Sequence, residues 1–249
     1  MLFCRHLART FRMPVTVALI STLWLSGCAS SSSFSTTDKP DASSAYTRLG
    51  VAYLEQNNLT RARNALDRAQ ELDADNPETL QALALVYQRQ GEDALATEYF
   101  QKALDSDTDF TRGRNNYDAF LYQRGDYTSA CQQLEMASHD AQYEHRARLF
   151  TNLGQCYLAL DETQRARESL VRAGKINPRH ASSYFYLAKL EYIQGNHEQA
   201  WLSLQRFFKL AKPTREALEM ATELARARGD DALAADYQRQ LERMNGTTP

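Results

Sequence analysis

Few residues of this 249-residue chain are placed to do chemistry. Acid–base or metal-assisted reactions need histidines and carboxylates that converge on one point. The five histidines are His6, His139, His145, His180 and His197. None forms an H-x-x-x-H pair or a carboxylate spacing that makes a metal site. No glycine-rich phosphate loop, G-x-S-x-G elbow or C-x-x-C pair occurs. The chain therefore reads as a protein that is not an enzyme, with no metal, no cofactor and no small-molecule substrate. What remains is cysteine chemistry.

Cys28 has the most telling surroundings. Arg5, His6, Arg9 and Arg12 form a positive N-terminal region, and residues 15–25 (VTVALISTLWL) form a short apolar run. That order is a secretory signal, and the run is shorter than the roughly 20 residues a membrane span needs. Leu25-Ser26-Gly27-Cys28 resembles the lipobox of bacterial lipoproteins. The resemblance implies cleavage before Cys28 and acylation of its thiol, with palmitate among the acyl chains. Ala29 and Ser30 follow where an Asp would signal retention, which implies the outer membrane. Residues 1–27 are thus expected to be signal peptide. Residues 28–44, rich in serine, are expected to form a lipidated tether with a reach of roughly 20 Å.

The elements that position the other residues follow from a ladder. Asn57, Gly91, Gly125, Asp161, Gly195 and Gly229 are separated by 34, 34, 36, 34 and 34 residues. A step near 34 is the period of a helix–turn–helix solenoid. Each rung is predicted to end a first helix, where a left-handed residue closes the last turn. Between rungs Leu80, Leu83, Ala84 and Tyr87 make one apolar stripe, and Ala96, Phe100, Ala103 and Leu104 make the next. The first repeat has Leu49, Gly50, Tyr53, Ala62, Leu66 and Ala69; the fourth has Leu153, Gly154, Tyr157, Ala166, Leu170, Ala173 and Pro178. This pattern resembles the tetratricopeptide repeat. The expected fold is all-α, a right-handed superhelical solenoid of about six repeats over residues 45–244. Residues 245–249 are expected to be a disordered tail.

A solenoid of this kind presents a surface to another chain. The first helix of each repeat is expected to line the concave face. Val51, Leu54 and Leu85 would receive an apolar partner segment there. Asn115, Asn116 and Asn152 would hold its backbone, and Tyr122, Phe185 and Tyr192 would flank it. The competing reading is that Asn116 and Asn152 bond across to the next repeat, since both share one repeat phase. Nucleic acid is not expected. Residues 1–27 take three arginines and no acid, leaving 26 basic against 31 acidic residues, a mildly acidic body.

Cys131 and Cys156 fall on neighbouring predicted helices of the third and fourth repeats. In an oxidising compartment they are a possible disulfide. The preferred reading is two small buried apolar residues. The 36-residue step adds two residues near positions 138–146, either a longer loop without function or a local change in the superhelix.

Asn115-Asn116-Tyr117-Asp118-Ala119-Phe120-Leu121-Tyr122, then Leu134-Glu135-Met136-Ala137-Ser138, then residues 143–154 (YEHRARLFTNLG) together resemble the PilF/PilW family of type IV pilus biogenesis lipoproteins. Asp118 stands where that family is expected to have glycine. The resemblance implies a pilotin, an outer-membrane lipoprotein with a periplasmic repeat domain. It would bind the type IV pilus secretin subunit and promote its localisation and multimerisation. The alternative is a general periplasmic scaffold that recruits cell-wall or envelope-assembly proteins.

Overall fold

The computed structural model describes residues 39–246, and all its regular elements are helices. The six pairs are α1 (Lys39–Glu55) with α2 (Leu59–Leu72), α3 (Pro77–Gln90) with α4 (Asp93–Ser106), α5 (Thr111–Gln123) with α6 (Tyr127–Ala137), α7 (Arg146–Ala159) with α8 (Thr163–Ile176), α9 (Ala181–Ile193) with α10 (His197–Leu210), and α11 (Arg215–Ala227) with α12 (Asp231–Gly246). The expected signal peptide, Cys28 and the tether through residue 38 lie outside the described residues. No helix among the described residues is long and apolar enough to cross a membrane.

Local chemistry sets the helix ends. The four ladder glycines have φ of 78°, 79°, 76° and 74°, and Asn57 and Asp161 take the same left-handed turn at 57° and 59°. Asn and Asp tolerate that region better than other side chains, so the ladder keeps its geometry on all six rungs. At the starts, the side chains of Asn58, Asn76, Asp126 and Thr214 each accept a hydrogen bond from a first-turn backbone N–H.

Each first helix packs on its own second helix, and α1, α3, α7 and α9 also pack on the first helix of the next repeat. Inside a repeat the approach is close. A Cβ built on Gly50 would meet Leu66 Cγ at 2.5 Å, and one on Gly154 would meet Leu170 Cγ at 2.6 Å. Phe100, Phe120, Leu134 and Leu149 fill the space between layers and are almost fully buried. Successive first helices touch along α1–α3, α3–α5, α7–α9 and α9–α11, and least of all between α5 and α7. That loosened seam is where the 36-residue step falls. There α7 leans mainly on α6. Cys131 of α6 and Cys156 of α7 are joined as a disulfide, with Cα atoms 5.6 Å apart. The preferred reading of two separate small apolar residues is therefore corrected. Direct packing of α7 on α6 brings the two cysteines within bridging distance.

Two boundaries also change. Residues 39–44 are helical rather than tether. Ser43 is fully buried and its hydroxyl donates to Ala69 O at 3.1 Å, while Thr47 and Thr79 share a hydrogen bond of 2.7 Å. Small hydroxyl residues suit the docking of the first turn onto α2 and α3, and their composition alone suggested coil. At the other end α12 runs to Gly246, two residues into the expected tail; residues 247–249 lie outside the described residues. Tyr237 of α12 is buried against Trp201 and Phe208, which closes the last repeat.

Candidate partner-binding surface

The first helices supply two recesses. The larger, about 550 Å³, lies over α1, α3 and α5. Val51 and Leu85 line it together with Gln81, Arg89, Arg112 and Asn116. Val51 is 37% exposed and Leu85 half-buried. Arg112 is held by Glu78 at 2.6 Å, and Arg89 donates to Leu54 O at 2.7 Å, so two of the three arginines that line it, Arg48 being the third, are engaged. Gln81 is buried and its Oε1 finds no hydrogen-bond partner. The recess thus offers apolar surface and one backbone-like acceptor, a combination that suits a peptide segment.

The smaller recess, about 170 Å³, sits at the loosened seam between α5 and α7. Its walls are Asp118, Ala119, Tyr122, Gln123, Asn152 and Gln155. Tyr122 leans on Tyr127 with ring centres 4.9 Å apart. Asn152 Nδ2 donates to Asn115 Oδ1 across the seam at 3.4 Å, a long bond. Asp118 is only 4% exposed, and its Oδ1 finds no hydrogen-bond partner. Burial pushes its carboxyl up to about 8, against the hydrogen bond from the Ala119 backbone N–H and the charge of Arg148.

Two of the expected lining residues belong elsewhere, and a third is mostly core. Leu54 borders the larger recess but is 4% exposed and packs into the core. Phe185 is 9% exposed and packs on Phe207 at 5.3 Å. Asn115 is buried beneath Asn152. Each sits one helical step from the concave surface, and a step of about 100° separates lining from core. The cross-repeat bond of Asn152 goes to Asn115, while Asn116 faces the larger recess. Tyr192 is half-buried and its hydroxyl donates to Glu223 of α11, apart from both recesses.

Asp118 and Gln81 were missed as lining residues. The signal for Asp118 was in the sequence. Its phase of the repeat holds Gly50, Ala84, Gly154, Ala188 and Thr222 elsewhere, so an acid there is out of pattern. Gln81 carried no such mark. No group of three or more His, Cys, Asp or Glu among the described residues could hold a metal.

Comparisons with known proteins agree on the architecture. Models described as a TPR repeat and a tetratricopeptide repeat match residues 50–91, 77–110 and 151–207. The type IV pilus assembly protein PilF of Pseudomonas aeruginosa is 34% identical over 238 residues, covering 93% of this chain and 94% of the relative. An uncharacterized Haemophilus influenzae protein is 28% identical over 167 residues, covering 67% of this chain and 93% of its own length. The solved structure of Pseudomonas aeruginosa PilF superposes with a TM-score of 0.78 at 32% identity, covering 84% of this chain and 95% of that one. PilW, described as a widely conserved type IV pilus biogenesis factor, superposes with a TM-score of 0.74 at 22% identity, covering 83% and 94%. The PilW likeness concerns the fold.

Proposed function

Since the chain belongs to the PilF family of type IV pilus proteins, we propose that it is a pilotin: an outer-membrane lipoprotein that binds the pilus secretin subunit and promotes its localisation and multimerisation. Binding and anchoring divide between two parts. Acyl chains on Cys28 hold the protein in the membrane, at about 0.8 kcal/mol per buried CH₂. The repeat domain hangs into the periplasm and carries the partner. It works by holding another chain and needs no bond-making step, so it is not an enzyme.

The recess of Val51, Leu85 and Gln81 carries this reading. Exposed apolar side chains beside a buried, unsatisfied acceptor favour a protein segment that brings both an apolar residue and a backbone N–H.

The test is co-purification with soluble secretin fragments. Val51→Glu with Leu85→Glu should weaken capture at least tenfold while the far-ultraviolet circular dichroism stays unchanged. Leu54 is unsuitable for this purpose because it is core. Cys28→Ala should leave capture intact and lose secretin rings from the outer membrane. Rings that form normally in a strain lacking the protein would remove the pilotin reading and favour the general scaffold.

A further inference from the structure

Resting on the reading that a protein partner lies along the concave face, we propose that the recess between α5 and α7 is a subsite for one lysine side chain of that partner, with Asp118 as its counter-ion.

The position argues first. Elsewhere this repeat phase is occupied by Gly, Ala or Thr. At Gly154 even a Cβ would collide with Leu170. An acid at this phase is a structural burden, and the Ala119 backbone N–H and the charge of Arg148 relieve it only in part. Oδ1 of Asp118 is left without a hydrogen-bond partner, although a buried acceptor costs stability when unpaired. Asp118 also lines an open recess whose volume suits a single side chain.

The surroundings then select the occupant. Arg148 of α7 is the charge that acts on the Asp118 carboxyl, and it is exposed. The other elements packed on α5 bring no competing cation to it. From α3, Gln88 donates to Gln123 Oε1 at 3.0 Å. From α4, Asp93 is held by Arg124. From α6, Tyr127 leans on Tyr122 with its ring tilted. Lys189 of α9 is tied to Glu216 at 2.6 Å. The walls therefore offer amide carbonyls at Asn152 and Gln155, the Tyr122 hydroxyl and one carboxylate. An ammonium group has three donors and no acceptor, which matches such a set. A norleucine side chain of the same length would leave every one of these groups unpaired.

Entry of an ammonium requires Asp118 to be ionised. Its carboxyl titrates near 8 when the recess is empty, so binding releases a proton. Affinity for a lysine-bearing ligand then rises by about 25-fold from pH 6.5 to 8.5.

Two probes test this without presuming the partner. N-acetyl-lysine-N-methylamide is titrated into the protein in the millimolar range, against N-acetyl-norleucine-N-methylamide. The side-chain amide resonances of Asn152 and Gln155 and the carboxyl carbon of Asp118 are followed by NMR. The lysine probe should shift all three and lower the Asp118 midpoint. The norleucine probe should not, and Asp118→Asn should abolish the response of both amides. No lysine response, an equal response to norleucine, or an unchanged response in Asp118→Asn each overturns the proposal. Asp118→Ala serves as the folding control, because Ala84 and Ala188 occupy the same phase. Secretin fragments form the second arm. If wild type captures them, Asp118→Asn should weaken capture about tenfold and flatten its pH dependence; equal capture and pH dependence would overturn the subsite. If wild type captures none, the pilotin reading falls while the lysine result stands by itself.

Discussion

Asp118 and Glu191 are the two carboxylates buried in first helices, at 4% and 3% exposure, and their surroundings differ completely. Glu191 of α9 is met by Arg167 from α8, and Asn196 Nδ2 donates to its Oε2 at 2.8 Å. It locks the turn after α9 onto the preceding repeat. Asp118 of α5 has the Ala119 backbone N–H and one unpaired oxygen. A buried acid with its partners built in fixes structure. One without them keeps its hydrogen-bonding capacity for something outside the fold.

The largest way to break this comparison is to turn Glu191 into a second Asp118. Arg167→Ala strips the buried carboxylate of its cation and should cost about 3 kcal/mol, read by urea unfolding. Arg167→Met combined with Glu191→Leu should recover most of that loss. A cost below about 1 kcal/mol for Arg167→Ala would mean that Asn196 alone satisfies Glu191.

Next in size is the same repeat phase in the fourth repeat. Gly154→Ala places a Cβ 2.6 Å from Leu170 Cγ and 3.3 Å from Ala166 O. We expect a loss of about 2 kcal/mol, since overpacking of this kind usually costs 1–3 kcal/mol. A neutral outcome would show that Leu170 gives way easily, and that the phase tolerates side chains more freely than Asp118 implies.

Asp118→Ala reverses the sign. Its carboxyl is raised from 3.8 to about 8 in the folded chain. The folded state then binds that proton more tightly than the unfolded state does. Stability from this group is fully present below pH 4 and is lost as pH rises through 8. The wild type should therefore fall relative to Asp118→Ala across that window. At pH 8 the variant should be more stable by at least about 2 kcal/mol, and near pH 4 the two should be close to equal. Parallel pH profiles in chemical denaturation would show that Asp118 is not the titrating group.

The ladder was legible because a left-handed turn leaves a mark at one position, and Asn57 and Asp161 fill it as the glycines do. The stripe containing Leu83 and Tyr87 was legible because a 3.6-residue period needs no partner to be seen. Burial one helical step away was not. Leu54 and Phe185 share their helices with true surface positions, and only packed neighbours decide which side of the step is core. Ser43 was misread for a related reason: its hydroxyl is satisfied by Ala69 O, 26 residues away. Asp118 was visible as an acid out of place, but its unpaired oxygen depends on how α5 and α7 separate.

The smallest expected effect concerns the other polar residue at this phase. Thr222 stands in the sixth repeat where Asp118 stands in the third. Its hydroxyl donates to Leu218 O, one turn back, at 2.8 Å. A hydroxyl can satisfy itself on its own helix in this way because it carries a proton; an ionised carboxylate has only acceptors, and the Ala119 backbone N–H leaves one oxygen of Asp118 unpaired. Thr222→Ala removes that bond but gains helix propensity, so the net change should lie within about 0.5 kcal/mol at any pH. Asp118→Thr should follow suit, raising stability at pH 8 towards that of Asp118→Ala and losing the pH dependence. If Asp118→Thr unfolds more easily than wild type at pH 8, the burden at this phase is steric rather than electrostatic, and the contrast with Glu191 loses its basis.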